Sequence, residues 1–470
     1  MNPESNHLVR GLGLTSAIAV NIANIIGTGV FLKARVMTCN VGTPTKALLV
    51  WVFAGLLSLA GGLTYAELLA MKPKDAGEYG IIRDAYGRIW GFLYGWTQFL
   101  LARSASAAAL AVGFAIFLND FLHGALKQNY FSITLPGGHI VGFGRLQVVA
   151  LGAILATTLI NCAAVKVSGQ FATALTAVKV SVLIAVGVGA FLYSGGDWSH
   201  LSMANVGGTC EGVAVTGGGV AGLAAAMLGA LWAYDGWNNV AFMAGEVKRP
   251  EKYLPLALIV SMFAVMALYV FDNVSYYHVL SPTEVASVSA SSSTAAEVIR
   301  RLLGSAAVTL MAAAMMTSSF SALHASILAT ARVPYAMARD RLFFQGLARL
   351  SKSTHVPVRS LIVLAIWSSV LALSGSYDVL TDYAIFALVM FYALTAGAVF
   401  IFRRRHPDAD RPYKTWGYPI VPVLFILVNA WLILTTIWNT PVQSSIGLGL
   451  IVVGLPVYLY WESRNRRAQE

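Results

Sequence analysis

Apolar stretches of membrane-crossing length, separated by short polar connections, recur along the whole chain. An α-helix needs about 20 predominantly apolar residues to cross the hydrocarbon core of a bilayer. The pattern predicts twelve spans: 13–37, 44–70, 88–118, 144–164, 169–193, 217–245, 254–280, 298–331, 359–375, 380–402, 417–438 and 442–461. Residues 1–470 read as one all-α polytopic membrane domain, without a separate soluble domain or a short-period repeat. Two hydrophilic patches, Asp75 to Tyr86 and Ala338 to Leu350, are amphipathic and predict short helices on one membrane face. The Ser-rich segment 281–296 reads as a flexible loop on the other face.

Two of the twelve spans are interrupted. The first contains Ile25-Ile26-Gly27-Thr28-Gly29-Val30-Phe31. Glycine costs about 1 kcal/mol relative to alanine inside a helix, so this run invites the backbone to unwind. The sixth contains Leu231-Trp232-Ala233-Tyr234-Asp235-Gly236-Trp237-Asn238, with an acid followed by glycine at membrane depth. Unwound backbone within a bilayer is tolerated where it lines a cavity or meets a ligand; close helix packing on small residues is the other reading of Gly-Thr-Gly. Broken helices at matching places in two halves point to a secondary-transporter site. Spans 1–5 (13–193) and 6–10 (217–402) then form inverted repeats, with 417–461 appended. Free amides at a half-helix start suit a carboxylate, and free carbonyls suit an ammonium group. An α-amino acid carries both.

Composition fixes the class. Of 470 residues, 57% are hydrophobic and 11% charged, and mean hydropathy is +0.69; soluble domains carry about a quarter charged residues. The net charge of +11 is topological. The loops after even-numbered spans hold the cations: Lys72, Lys74, Arg83 and Arg88; Lys166; Lys248, Arg249 and Lys252; Arg332 to Arg359; Arg403 to Lys414; then Arg464, Arg466 and Arg467. Loops on the other side hold almost none. The positive-inside rule puts both termini in the cytoplasm, and no nucleic-acid partner is expected. Cys39, Cys162 and Cys210 have spacings of neither a disulfide framework nor a metal site, and read as ordinary residues. No metal or cofactor is expected.

The Ile-Ile-Gly-Thr-Gly-Val-Phe run, Tyr65-Ala66-Glu67-Leu68, Trp232-Ala233-Tyr234-Asp235-Gly236-Trp237-Asn238, and Gly245-Glu246-Val247 with Pro250 resemble the amino acid–polyamine–organocation superfamily. Within it the chain is most similar to the L-type amino-acid transporter branch, and the resemblance extends to Thr440-Pro441 and Gly454-Leu455-Pro456. It implies a leucine-transporter-type inverted repeat, alternating access and an amino-acid substrate. The family's first break maps onto Ile25, Ile26, Gly27, Thr28 and Gly29, whose amides and hydroxyl would hold the substrate carboxylate. Carbonyls near Trp232 and Ala233 would hold its ammonium group, and Trp232 stands where the branch carries an aromatic outer gate. Trp237 and Asn238 belong to the same binding string.

Lys179 lies deep in span five, about three helical turns or roughly 20 Å past Lys166, too far to snorkel easily. The branch has a lysine there standing in for a sodium ion, which implies sodium-independent transport; proton coupling through Lys179 is the alternative. Asp235 has two roles open to it. Its carboxylate would pair with the tail of a cationic substrate, or cap the second half of span six. Arg103, midway in span three, has no assigned partner, and Glu67 ends span two among the basic inner loops. Asp75-Ala76-Gly77-Glu78-Tyr79 departs from the Gly-Gly pair many relatives carry, which bears on the inner loop. Animal relatives pair with a heavy subunit through a cysteine in the loop corresponding to 119–143. None is present there, so no heavy subunit is expected, and the reading is a stand-alone transporter of a bacterial inner membrane. An ion channel would need a filter or ring motif. An enzyme would need a nucleophile–base set, HExxH or GxSxG. None is found. The open question is substrate: neutral and cationic amino acids, or neutral ones alone.

Overall fold

The computed structural model describes residues 13–71, 77–134, 140–162, 169–238, 247–351, 357–374 and 376–467. In chain order the first helices are α1 (Leu14–Ile25), α2 (Gly29–Val41), α3 (Pro44–Met71), α4 (Gly77–Tyr86), α5 (Arg88–Thr97) and α6 (Arg103–Phe121). A π-helical turn, Gln98–Ala102, joins the last two. There follow α7 (Arg145–Cys162), α8 (Gly169–Phe191), α9 (Gly219–Tyr234), α10 (Pro250–Val279), α11 (Pro282–Ala286), α12 (Thr294–Leu303) and α13 (Ser305–Thr330). The series closes with α14 (Arg332–Arg339), α15 (Val358–Ser374), α16 (Tyr377–Arg405), α17 (Ile420–Asn439), α18 (Pro441–Val452) and α19 (Gly454–Arg467).

Among the described residues eight helices are long and apolar enough to cross a membrane, nine with the bent pair α1–α2 as one span; Ala177–Phe191, α9 and α15 are shorter apolar helices. Each begins or ends within a few residues of an expected span. Large apolar side chains such as Leu155, Leu159, Leu310, Ile366 and Leu434 are exposed on the outside of the bundle, as lipid-facing residues would be. The interior is aromatic: Trp51, Tyr65, Tyr234, Tyr269, Tyr276 and Tyr277 are fully buried.

The connections depart from expectation in four places. The loop 119–143 contains a β-hairpin, β1 (Asn129–Thr134) antiparallel to β2 (Ile140–Gly144). The Ser-rich segment 281–296 is structured: Ser281 and Glu284 cap α11 reciprocally, and the Ser292 and Ser293 hydroxyls donate to Asp120 at 2.5 and 3.1 Å. Its serines serve as helix caps and carboxylate partners. Of the expected helix Asp75 to Tyr86, residues Gly77–Tyr86 form α4, with Asp75 and Ala76 outside the described residues, whereas within Ala338–Leu350 only a 3₁₀ turn, Gln345–Ala348, forms after α14. Cys39 and Cys210 are joined in a disulfide, correcting their reading as ordinary residues. A separation of 171 residues leaves no local spacing to betray the pair. The bond ties the end of α2 to the segment before α9, on the cation-poor side. Gly245 and Glu246, with Asn239, lie outside the described residues.

Candidate functional site

Both breaks form where the sequence places them, and they face each other. α1 stops as Ile26 turns extended (φ −70°, ψ 99°), and α2 restarts at Gly29 with its axis turned by 50°. α9 stops at Tyr234, Asp235 is extended, and Gly236 takes φ +106°. A Cβ on Gly29 would lie 2.5 Å from both Cα and Cβ of Ala233, and one on Gly236 would collide with the Asn24 carbonyl. The two unwound segments therefore touch through glycines, and no side chain fits between them. Gly27 differs: a Cβ there would meet only the Ile25 carbonyl, at 3.9 Å.

The unwound backbone presents both kinds of polar group. The Ile26 amide bonds back to Ile22 and the Phe31 amide to Thr28, while the amides of Gly27 and Thr28 meet no acceptor among the described residues. On the carbonyl side, the Tyr269 hydroxyl lies 3.0 Å from the Ala233 oxygen and 3.3 Å from that of Ile25, and donates between them. The Lys179 ammonium, buried in α8, donates to the Ile26 carbonyl at 3.2 Å. A buried lysine nitrogen thus sits against the backbone of the first break.

On the side of α16 the breaks are covered. Tyr377, at the start of α16, shares a 2.7 Å hydrogen bond with the Thr28 hydroxyl and accepts one of 2.7 Å from the Trp232 indole, whose ring meets it edge to face. Above it Asp378 takes two buried cations from α2, Lys33 at 2.9 Å and Arg35 at 2.5 Å. Lys33 also donates to Thr381 at 2.6 Å and approaches Asp382 at 3.8 Å; Arg35 also donates to the Glu211 carbonyl.

Inward of the breaks lies a second polar group. Arg103, following the π-helical turn, pairs with Asp235 at 3.4 Å, and the Tyr392 hydroxyl donates to Asp235 at 2.7 Å. Asn238 donates to the buried Glu78 carboxylate at 2.6 Å. Trp237 packs against Tyr65 and Tyr392, with ring centroids 5.0 and 5.2 Å apart. Nearer the inner face Glu67 accepts a two-pronged contact from Arg403 at 2.9 and 2.7 Å, with Arg411 at 3.5 Å. On α4, burial and the hydrogen bond given to Asp340 push the Tyr79 phenol well above its usual range.

Of the residues expected in the site, Ile25, Ile26, Gly27, Thr28, Gly29, Trp232 and Ala233 converge at the breaks, with Lys179 against them. Asp235, Trp237 and Asn238 sit inward, engaged with Arg103, aromatic rings and Glu78. Arg103 has a partner after all. Tyr377, Tyr269, Lys33, Arg35, Asp378 and Glu78 were not anticipated. Lys33 and Arg35 inside the first apolar segment, and Asp378 and Asp382 at the head of span ten, carried the signal: charges at membrane depth need partners.

A family model described as amino acid permease matches residues 12–460. The chain is 31% identical over 467 residues to the serine/threonine exchanger SteT of Bacillus subtilis (strain 168), covering 99% of this chain and 100% of that protein. It is 28% identical to the human large neutral amino acids transporter small subunit 2, over 98% of this chain and 82% of that one. To the human b(0,+)-type amino acid transporter 1 it is 27% identical, over 93% and 85%.

Proposed function

The chain belongs to the amino acid permease family, a family of membrane transporters and not of enzymes, and from that premise we propose that it is a sodium-independent exchanger of neutral L-amino acids. The observation carrying this reading is the pair of facing breaks, with free amides at Gly27 and Thr28 opposite carbonyls of Ile25 and Ala233. The substrate carboxylate takes the amides and the positive start of α2. Its ammonium group takes the carbonyls now held by Tyr269. Eight long helices, the bent pair and three shorter apolar helices add to twelve, which supports the twelve-span inverted repeat. Lys179 on the Ile26 carbonyl supplies a resident positive charge where a coupling cation would otherwise sit. Asp235 already has the guanidinium of Arg103, which favours neutral over cationic substrates.

Alternating access then has named gates. Tyr377, Trp232 and Thr28 close the outer path, braced by Asp378 with Lys33 and Arg35; Glu67 with Arg403 and Arg411 ties the inner ends of α3 and α16. The basic loops support a plasma-membrane orientation with cytoplasmic termini. A disulfide on the opposite face suits an oxidising exterior. With no cysteine in 119–143, the transporter works without a disulfide-linked subunit.

Proteoliposomes, empty or preloaded with unlabelled amino acid, test the proposal. Labelled alanine, serine or leucine should enter preloaded vesicles, indifferent to sodium, and arginine should not. Uptake that requires sodium would overturn the role given to Lys179, and arginine uptake would return Asp235 to substrate selection.

A further inference from the structure

One acid in the bundle is used by neither the site nor its gates. Asp272 lies on α10, seven residues before the outer end of that helix at Val279, a depth of roughly 10 Å by the helical rise. It is fully buried, and neither carboxylate oxygen has a hydrogen-bond partner. Other buried acids of the bundle are answered: Asp378 by Lys33 and Arg35, Asp235 by Arg103, Glu67 by Arg403, Glu78 by the Asn238 amide and Asp120 by the Ser292 and Ser293 hydroxyls. An unpaired carboxylate buried within a membrane is strongly disfavoured unless a proton neutralises it.

We propose that Asp272 is a proton-binding site, neutral while the two breaks are packed together, which takes up and releases one proton during the transport cycle. The step is a single proton transfer: an O–H bond of a hydronium ion arriving through the outer path breaks, leaving water, as one carboxylate oxygen gains the proton. It rests on the transport reading above.

The surroundings carry the argument. Tyr269, Asp272 and Tyr276 follow the i, i+3, i+7 spacing that puts them on one helix face, and both phenols lie within the electrostatic reach of Asp272. Tyr269 is the hydroxyl that bridges the carbonyls of the two breaks, whereas the Tyr276 hydroxyl is buried without a partner. A charge on Asp272 therefore appears one turn from the group holding both unwound segments.

Among the described residues, the helices around α10 bring no cation to it. α2 sends Lys33 and Arg35 to Asp378, and α8 sends Lys179 to the Ile26 carbonyl. On α3, Lys46 is exposed at the outer end, Glu67 is held by Arg403, and Tyr65 packs on Trp237. α1 carries no titratable side chain. On α12 Arg300 pairs with Glu297, and Arg301 reaches Glu284 of α11. His200 of the turn 198–202 meets the Tyr277 carbonyl, and His278 stacks on Trp198. Tyr269 and Tyr276 are what face the carboxyl.

The sign follows. Protonation favours the packed arrangement at low pH, and that advantage is lost as pH rises through the apparent pKa of the site. Wild-type uptake in proteoliposomes should fall with rising external pH, by up to about tenfold per unit above that value, and an inward proton gradient should concentrate substrate. Asp272→Asn, a neutral isostere, should still exchange, with a flat pH profile and no accumulation. A variant profile matching the wild type, or a wild type indifferent to pH, would overturn the proposal. Infrared difference spectroscopy of the purified protein gives a second readout independent of transport. A protonated-carboxyl stretch present in wild type and lost in Asp272→Asn is expected, and its absence from wild type would overturn the proposal. If the wild type moves no amino acid, the transport reading falls while the infrared band still decides whether Asp272 holds a proton.

Discussion

The charges outside the breaks and those inside them are held in different ways. Outside, one carboxylate takes two cations at 2.9 and 2.5 Å, and the Lys33 side chain is fully buried. Inside, Arg103 and Asp235 stand 3.4 Å apart, with side chains 21% and 13% exposed. A carboxylate held at short distance by two cations, one of them fully buried, is costly to open, because either partner left behind is an uncompensated buried charge. A single, longer pair, whose arginine is 21% exposed, gives up less when it separates. The cluster around Asp378 is thus held more tightly than the pair of Arg103 and Asp235.

The sharpest way to break that comparison is Asp378→Ala. It strands Lys33 and Arg35 together, and a stability loss of about 3–5 kcal/mol is expected in thermal unfolding of the detergent-solubilised protein. A loss below about 1 kcal/mol, the scale of an exposed pair, would mean that the outer latch is no stronger than a surface contact. Gly29→Ala acts between the two clusters. Its new Cβ meets Ala233 backbone at 2.5 Å, which cannot swing aside as a side chain would, so the breaks must separate. Displacements of about 1 Å at a site cost roughly 100-fold in rate, and a loss of that order in exchange is expected from a protein that still folds. Gly27→Ala is the control, since its Cβ meets only one atom at 3.9 Å, and it should retain most activity. Asp235→Asn tests the inner pair. Losing charge but keeping an acceptor for Tyr392, it should cost about 1–3 kcal/mol, less than Asp378→Ala in the same melt. Equal costs would remove the asymmetry.

The sequence made the breaks legible because a glycine pair around threonine, and an acid before glycine, are locally anomalous in apolar helices. The spans were legible because a bilayer imposes one length on every crossing element. What stayed hidden was pairing across the chain. Arg103 and Asp235 are 132 residues apart, and Thr28 and Tyr377 349; nothing local announces either contact. Asp235 was read as facing substrate or capping a helix because its partner was unknown. Cys39 and Cys210 were missed for the same reason, and the order in 281–296 because serines that cap and bind Asp120 look, in sequence, like a linker. Lys33 and Arg35 were visible and went unused: they were absorbed into a span whose length looked right, although two cations in an apolar helix already demand acids somewhere.

Tyr377→Phe has the smallest expected effect and asks what the outer latch consists of. The substitution removes one hydroxyl, and with it the hydrogen bonds to Thr28 and Trp232, each worth about 1 kcal/mol net. It leaves the ring on which Trp232 packs and over which Lys33 sits at 5.2 Å from the centroid. If ion pairs carry most of the outer closure, the lid loosens without detaching, and exchange should change only a few-fold, well within the roughly 30-fold that the two bonds' combined total of about 2 kcal/mol represents. Initial rates at several external substrate concentrations separate the causes. A shift in apparent affinity at unchanged maximal rate belongs to a looser lid, since opening outward becomes easier while the breaks keep their shape. Loss of maximal rate on the scale of Gly29→Ala would mean that the hydroxyl fixes Thr28 for the substrate carboxylate. Tyr377 would then belong to the binding site as much as to the gate, and the boundary between the tight outer cluster and the breaks would move inward by one residue contact.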